Sequence, residues 1–143
     1  MDSASNKQAN KQLMQEIFSE LAKGNGQPFV DSFSEDFCWI ITGGSAWSGT
    51  YRGKEVVRRE LLEPLFAQFA GRYTNTAERL IAEDDYVVVQ CRGQVMTKAG
   101  KRYDNSYCYV CRFAGGKLCE LTEYLDTQLV NDVLTAPAAQ AAA

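Results

Sequence analysis

Residues 7–23 carry Leu13, Ile17 and Leu21 at i, i+4 and i+8, with Met14 and Phe18 beside them, a spacing that predicts a helix with one apolar stripe. Gly24-Asn25-Gly26 stops it. Pro28 then opens a short second helix with Phe29, Val30 and Phe33 apolar, which runs out near Ser34-Glu35-Asp36. Phe37-Cys38-Trp39-Ile40-Ile41 has the unbroken apolar character of a short buried strand. The stretch that follows, residues 42–53, is too rich in glycine for regular structure. Over residues 54–70, Val57, Leu61, Leu62, Leu65, Phe66 and Phe69 return to helical spacing, with Pro64 placed to bend or split the helix. Four strands are expected next, at residues 72–82, 86–97, 103–113 and 117–125. Their links (Glu83-Asp84-Asp85, Lys98-Ala99-Gly100-Lys101 and Ala114-Gly115-Gly116) are short enough for hairpins, so the strands form an antiparallel meander. A last helix runs over residues 127–134 with Asp126 as its N-cap.

Helices first and a long antiparallel sheet after define an α+β domain in which a curved sheet wraps the N-terminal helices as a cone-shaped barrel. One domain over residues 7–134 is expected, with a flexible start at 1–6. A loose tail is expected from 135 to 143, where TAPAAQAAA has nothing to bury.

Composition narrows the chemistry. The 143 residues carry a net charge of -3 with Lys and Arg scattered, so the field needed to hold nucleic acid or an anionic membrane is missing. The polar start has no apolar core of a leader, and no run approaches the ~20 apolar residues of a bilayer span. A soluble, cytoplasmic protein is the expectation. Five cysteines without a disulfide-rich pattern fit a reducing compartment. Cys108 and Cys111 have the spacing of a redox or zinc pair, but residues three apart on a strand point to opposite faces, so they are read as small buried hydrophobes. The chain has no histidine, which removes imidazole acid–base chemistry, Ser-His-Asp and Cys-His nucleophiles and histidine metal sites. No metal and no organic cofactor is expected.

The order of elements, the segment TYRGKEVV in the Gly-rich loop and the block GKRYDNSYCYVCRFAGGKLCELTEYLDTQLV together resemble the nuclear transport factor 2-like superfamily, in its SnoaL-like and ketosteroid-isomerase-like branch. The resemblance covers nearly the whole chain. It implies a homodimer, here expected through the outer sheet face (Ser106, Cys108, Val110, Arg112), and one deep apolar pocket per subunit. It does not imply a reaction, since one fold hosts many. The positions matching the isomerase base and its two hydrogen-bond donors read Ile41, Ile17 and Tyr109. Those matching a limonene-epoxide-hydrolase-like site read Gln90, Arg92 and Glu123.

If the resemblance sets the faces, Gln90, Arg92, Tyr109 and Glu123 converge in the cavity. Trp39, Tyr107 and Asn105 complete the walls, and Trp47 sits either as a lid at the mouth or at a subunit contact. Three readings stay open. In the first, Glu123 is a general acid or base while Arg92 and Tyr109 stabilise an oxyanion, as in a cofactor-free isomerase, cyclase or hydratase acting on a small apolar carbonyl-containing or polycyclic molecule. In the second, Arg92 and Glu123 neutralise each other and the pocket binds a small apolar molecule with a polar tip, unchanged. An arginine beside Glu123 would hold the carboxyl ionised and weaken it as a base. The third is a dimeric interaction module.

Overall fold

The apolar stripe of the first helix finds its partner in the sheet. In the computed structural model, which describes residues 3–137, α1 (Ser3–Leu21) buries Met14, Ile17, Phe18 and Leu21. They pack against β3 (Thr74–Glu83) and β4 (Tyr86–Gln94). Full burial of side chains this size contributes roughly 1.5–3 kcal/mol each. The helix begins at Ser3 rather than at residue 7, because its polar first turns carry no periodicity to mark them. Residues 1–2, part of the start expected to be flexible, lie outside the described residues.

α2 (Gln27–Asp31) is shorter than expected, and β1 (Phe33–Ile41) starts correspondingly earlier, with a register irregularity between Phe33 and Cys38. The Gly-rich loop is not wholly irregular. Gly49–Arg52 forms β2, whose Tyr51 pairs antiparallel with Trp39. The helix expected over 54–70 is three short pieces: α3 (Lys54–Val56), a π-helical turn (Val57–Leu62) and α4 (Glu63–Phe66). Pro64 follows the π-turn directly in a backbone that stays helical, and it offers no N–H to the carbonyls of the preceding turn.

β3, β4, β5 (Ser106–Ala114) and β6 (Lys117–Leu125) form the expected antiparallel meander. Gly115 and Gly116 turn β5 into β6 with φ of +57° and +77°, the left-handed pair that a two-residue hairpin of this hand requires. β1 returns to lie parallel to β6, giving one curved six-stranded sheet in the order β2-β1-β6-β5-β4-β3. That crossover brings the first strand beside the last one, with Trp39 opposite Leu121 and Ile41 opposite Glu123.

α5 (Thr127–Val133) is capped by Asp126, which accepts from the backbone N–H of Gln128 and Leu129 at 3.1 and 3.2 Å. Thr135, the first residue of the stretch expected to be loose, is hydrogen-bonded. The Thr135 N–H donates to Gln68 Oε1 at 2.7 Å, and its carbonyl accepts from Trp47 Nε1 at 3.0 Å and Gln68 Nε2 at 3.2 Å. Residues 138–143, the remainder of the tail, lie outside the described residues. Cys108 and Cys111 fall on opposite faces of β5 as free thiols, Cys111 buried and Cys108 half-buried. Among the described residues no helix is long and apolar enough to cross a membrane.

Candidate functional site

Alternation along the meander strands sorts the candidate residues. On β4 the buried positions are Val87, Val89, Cys91 and Gly93, and the exposed ones include Gln90, Arg92 and Gln94. Gln90 and Arg92 therefore lie outside the cavity, against expectation. Arg92 Nε bonds Glu78 Oε1 on the outer face at 3.2 Å, both side chains more than half exposed. The physical reason is elementary. The apolar residues of a half-buried strand take the core side, and the charged alternates take water.

Inside, one row runs across four strands through Val89, Tyr109, Glu123 and Ile41, each paired with the next. Around it is a cavity of about 270 Å³. Its walls are Phe29, Val30, Trp39 and Trp47 on one side, Leu61, Leu65 and Phe69 on another, and the sheet residues Tyr73, Asn75, Tyr107, Tyr109 and Glu123. The polar groups in this apolar chamber are few, as small-molecule sites generally have them. Trp39, Tyr107, Tyr109, Trp47 and Glu123 are thus all brought to the cavity. Trp47 lies in the cavity wall. It is 3% exposed, its indole N–H is held by Thr135, and the backbone N–H of its neighbour Ala46 donates to Asn131 Oδ1 at 2.9 Å.

Asn105 does not line the cavity. Its Nδ2 donates to Tyr103 OH and to the Asp126 carbonyl, both at 3.1 Å, while its Oδ1 accepts from the N–H groups of Ser106 at 2.8 Å and Asp126 at 3.1 Å. All of its capacity goes into clamping the start of β5 to the β6–α5 junction.

Glu123 is 6% exposed. Trp39 Nε1 donates to its Oε1 at 2.8 Å, and among the described residues this is the carboxyl's sole hydrogen bond. Burial pushes its pKa up to about 7, opposed only by the Trp39 hydrogen bond. The arginine expected to hold it ionised is on the other side of the sheet. Burial also raises the phenols of Tyr73, Tyr107 and Tyr109, and Tyr103 is pushed up to about 12, so all four are neutral hydroxyls at pH 7.

The sequence pattern did not single out Tyr73, Asn75, Tyr103 or Gly93. Gly93 is what lets the tyrosines gather. A Cβ there would stand 2.5 Å from Tyr73 OH and 2.9 Å from Tyr107 Cε2, so only hydrogen fits. Asn75 faces it from β3. The signal was available in the parity of the strands, since Gly93 shares the inward face with Val89 and Cys91.

The model of the SnoaL-like domain matches residues 14–121. An uncharacterized protein of Mycobacterium tuberculosis is 26% identical over 116 residues, which are 81% of this chain and 88% of that one. Among solved structures, Bal32a from a soil-derived mobile gene cassette has a TM-score of 0.78 at 19% identity, covering 91% of this chain and 99% of its own. A SnoaL-like polyketide cyclase candidate from Jannaschia sp. CCS1 has 0.75 at 20%, covering 96% and 99%. TerC co-crystallized with polyporic acid has 0.73 at 16%, covering 87% and 97%. With the matched domain spanning most of its length, the chain belongs to the SnoaL-like domain family, within the nuclear transport factor 2-like fold.

Proposed function

We propose that the cavity carries out cofactor-free proton transfer on a small apolar carbonyl compound, with Glu123 as the acid–base group. The observation that supports this most directly is a carboxyl enclosed in an apolar chamber with one indole donor and no cation, which brings its pKa to about 7. A group poised there is present in both protonation states at neutral pH, the condition under which general acid–base catalysis is most effective. In the forward step, ionised Glu123 takes a proton from the carbon next to the carbonyl. The C–H bond breaks, an O–H bond forms on Glu123, and the electron pair moves into an enolate. Tyr109, the cross-strand partner of Glu123, offers a neutral hydroxyl to the enolate oxygen. Returning the proton to a different atom gives isomerisation; attack of the enolate carbon on a second carbonyl of the same molecule breaks that C=O π bond, and the new alkoxide takes the proton back from Glu123, giving ring closure. The likeness in fold to TerC with polyporic acid and to the polyketide cyclase candidate is in keeping with a carbonyl-bearing substrate. Arg92 has no part in this scheme.

Hydrogen–deuterium exchange at the α-carbon of 1-indanone or 2-tetralone in D2O, followed by NMR, tests the chemistry on simple ketones small enough for the cavity. The wild type should accelerate exchange and Glu123→Gln should lose on the order of 10²–10⁴-fold of that acceleration. Equal exchange by the variant, with only ligand affinity altered, would leave a binding protein in place of an enzyme. The homodimer through the outer face belongs to the same proposal, and a mass of 15.9 kDa in light scattering would remove it.

A further inference from the structure

Asn75 is a second polar group in the cavity wall, and half of its amide is unsatisfied. It is 2% exposed. Its Nδ2 lies 3.2 Å from Tyr73 OH and 3.5 Å from Tyr109 OH. Its Oδ1 has no partner, and among the described residues it is the buried side-chain oxygen or nitrogen for which this holds. Leaving a buried carbonyl unpaired is costly, and protein interiors keep few such atoms. The nearby Asn105 shows what a structural amide looks like here, with both ends engaged by backbone and side chain. Among the described residues the Asn75 side chain bonds no backbone group; its hydroxyl partners, Tyr73 and Tyr109, line the same cavity.

We infer that Asn75 reads the ligand: its Oδ1 accepts a hydrogen bond from a hydroxyl or N–H group on the molecule that fills the cavity, as a polar anchor separate from Glu123. The occupant is accordingly more than an apolar body with one carbonyl. A chamber of about 270 Å³ has the space of roughly nine waters at the liquid's share of volume, enough for one or two fused rings bearing that donor. The inference rests on the cavity being a ligand site, as proposed above, and does not depend on Glu123 performing chemistry.

Calorimetric titration with three shape-related probes tests it: 2-naphthol, which donates; 2-methoxynaphthalene, which only accepts; and 2-methylnaphthalene, which does neither. The wild type should bind 2-naphthol roughly tenfold or more tighter than the other two. Asn75→Leu should shrink that preference below about twofold, and Arg92→Ala, on the outer face of the sheet, should leave it in place. Equal affinity for all three probes, tight binding of the methoxy compound, a preference that survives Asn75→Leu, or one lost in Arg92→Ala as well would each overturn the assignment. So would failure of all three to bind. Should Asn75→Leu not fold, the wild type still decides the question. The Asn75 side-chain NH2 signals of ¹⁵N-labelled protein should move further with 2-naphthol than with 2-methylnaphthalene, and equal movement would refute the contact. Loss of the deuterium exchange activity, by contrast, would bear on Glu123 and leave Asn75 standing.

Discussion

Glu120 and Glu123 stand three residues apart on β6 and end in different electrical worlds. Glu120 is on the outer face, 3.9 Å from Arg112, with water around both. Arg92 and Glu78 repeat that arrangement two strands away. Glu123 is on the inner face with a tryptophan N–H and no cation, and its proton is held up to about pH 7. Charges on the outer face neutralise one another at little gain or cost, because solvent screens them and their side chains stay mobile. The inner carboxyl cannot be screened, so it settles the conflict by keeping its proton. Desolvation without a neighbouring cation is what separates Glu123 from Glu120 on the same strand.

The contrast is most open to attack through pH. The Glu123 carboxyl moves from 4.5 when unfolded to about 7 when folded. Between these values the folded chain holds a proton that the unfolded chain has released. The stabilisation is therefore complete below about pH 4.5 and lost as pH rises through about 7, a fall of roughly 3 kcal/mol. Glu123→Gln does not titrate. Urea melts should show the variant gaining on the wild type between pH 5 and pH 8; parallel stability curves would mean the carboxyl is not desolvated as described.

A smaller effect is expected from Gly93→Ala. The added methyl meets the Tyr73 hydroxyl and the buried ring of Tyr107, and overpacking of this kind costs typically 1–3 kcal/mol. Thermal melts measure it, and the same variant should weaken probe binding because the tyrosine wall shifts. Trp39→Phe keeps an aromatic wall and removes the one donor that lowers the Glu123 pKa. The midpoint of the exchange activity against pH should then move above about 7, whereas a midpoint unmoved or lowered would mean that the indole does not govern the carboxyl. Arg92→Ala should matter least. An exposed pair contributes at most about 1 kcal/mol, and neither the Glu123 titration nor ligand affinity should change. A shifted midpoint in this variant would show that the two faces are coupled after all.

Much of the fold was legible because its signals are local. The stripe of Leu13, Ile17 and Leu21, the Gly115-Gly116 turn and the Asp126 cap each act within a few residues, and each formed as expected. The misplacement of Gln90 and Arg92 arose where a likeness to relatives was allowed to choose the inward face of β4. The strand's own alternation, Val87, Val89 and Cys91 against Gln90, Arg92 and Gln94, states the opposite orientation. Asn105, just before β5, stays out of the cavity because its partners at Ser106 and Asp126 are set by how the β6–α5 junction closes.

The sequence by itself determined the helices, the meander and the candidacy of Glu123, since hydrophobic period, turn chemistry and side-chain type act without reference to distant residues. The tertiary structure decided the electrostatic state of that carboxyl. The parallel return of β1 to β6 brings Trp39 within 2.8 Å of a residue 84 positions away, while the sheet keeps Arg92 on its far side. Burial and pairing belong to the assembled sheet, and no stretch of chain carries them alone.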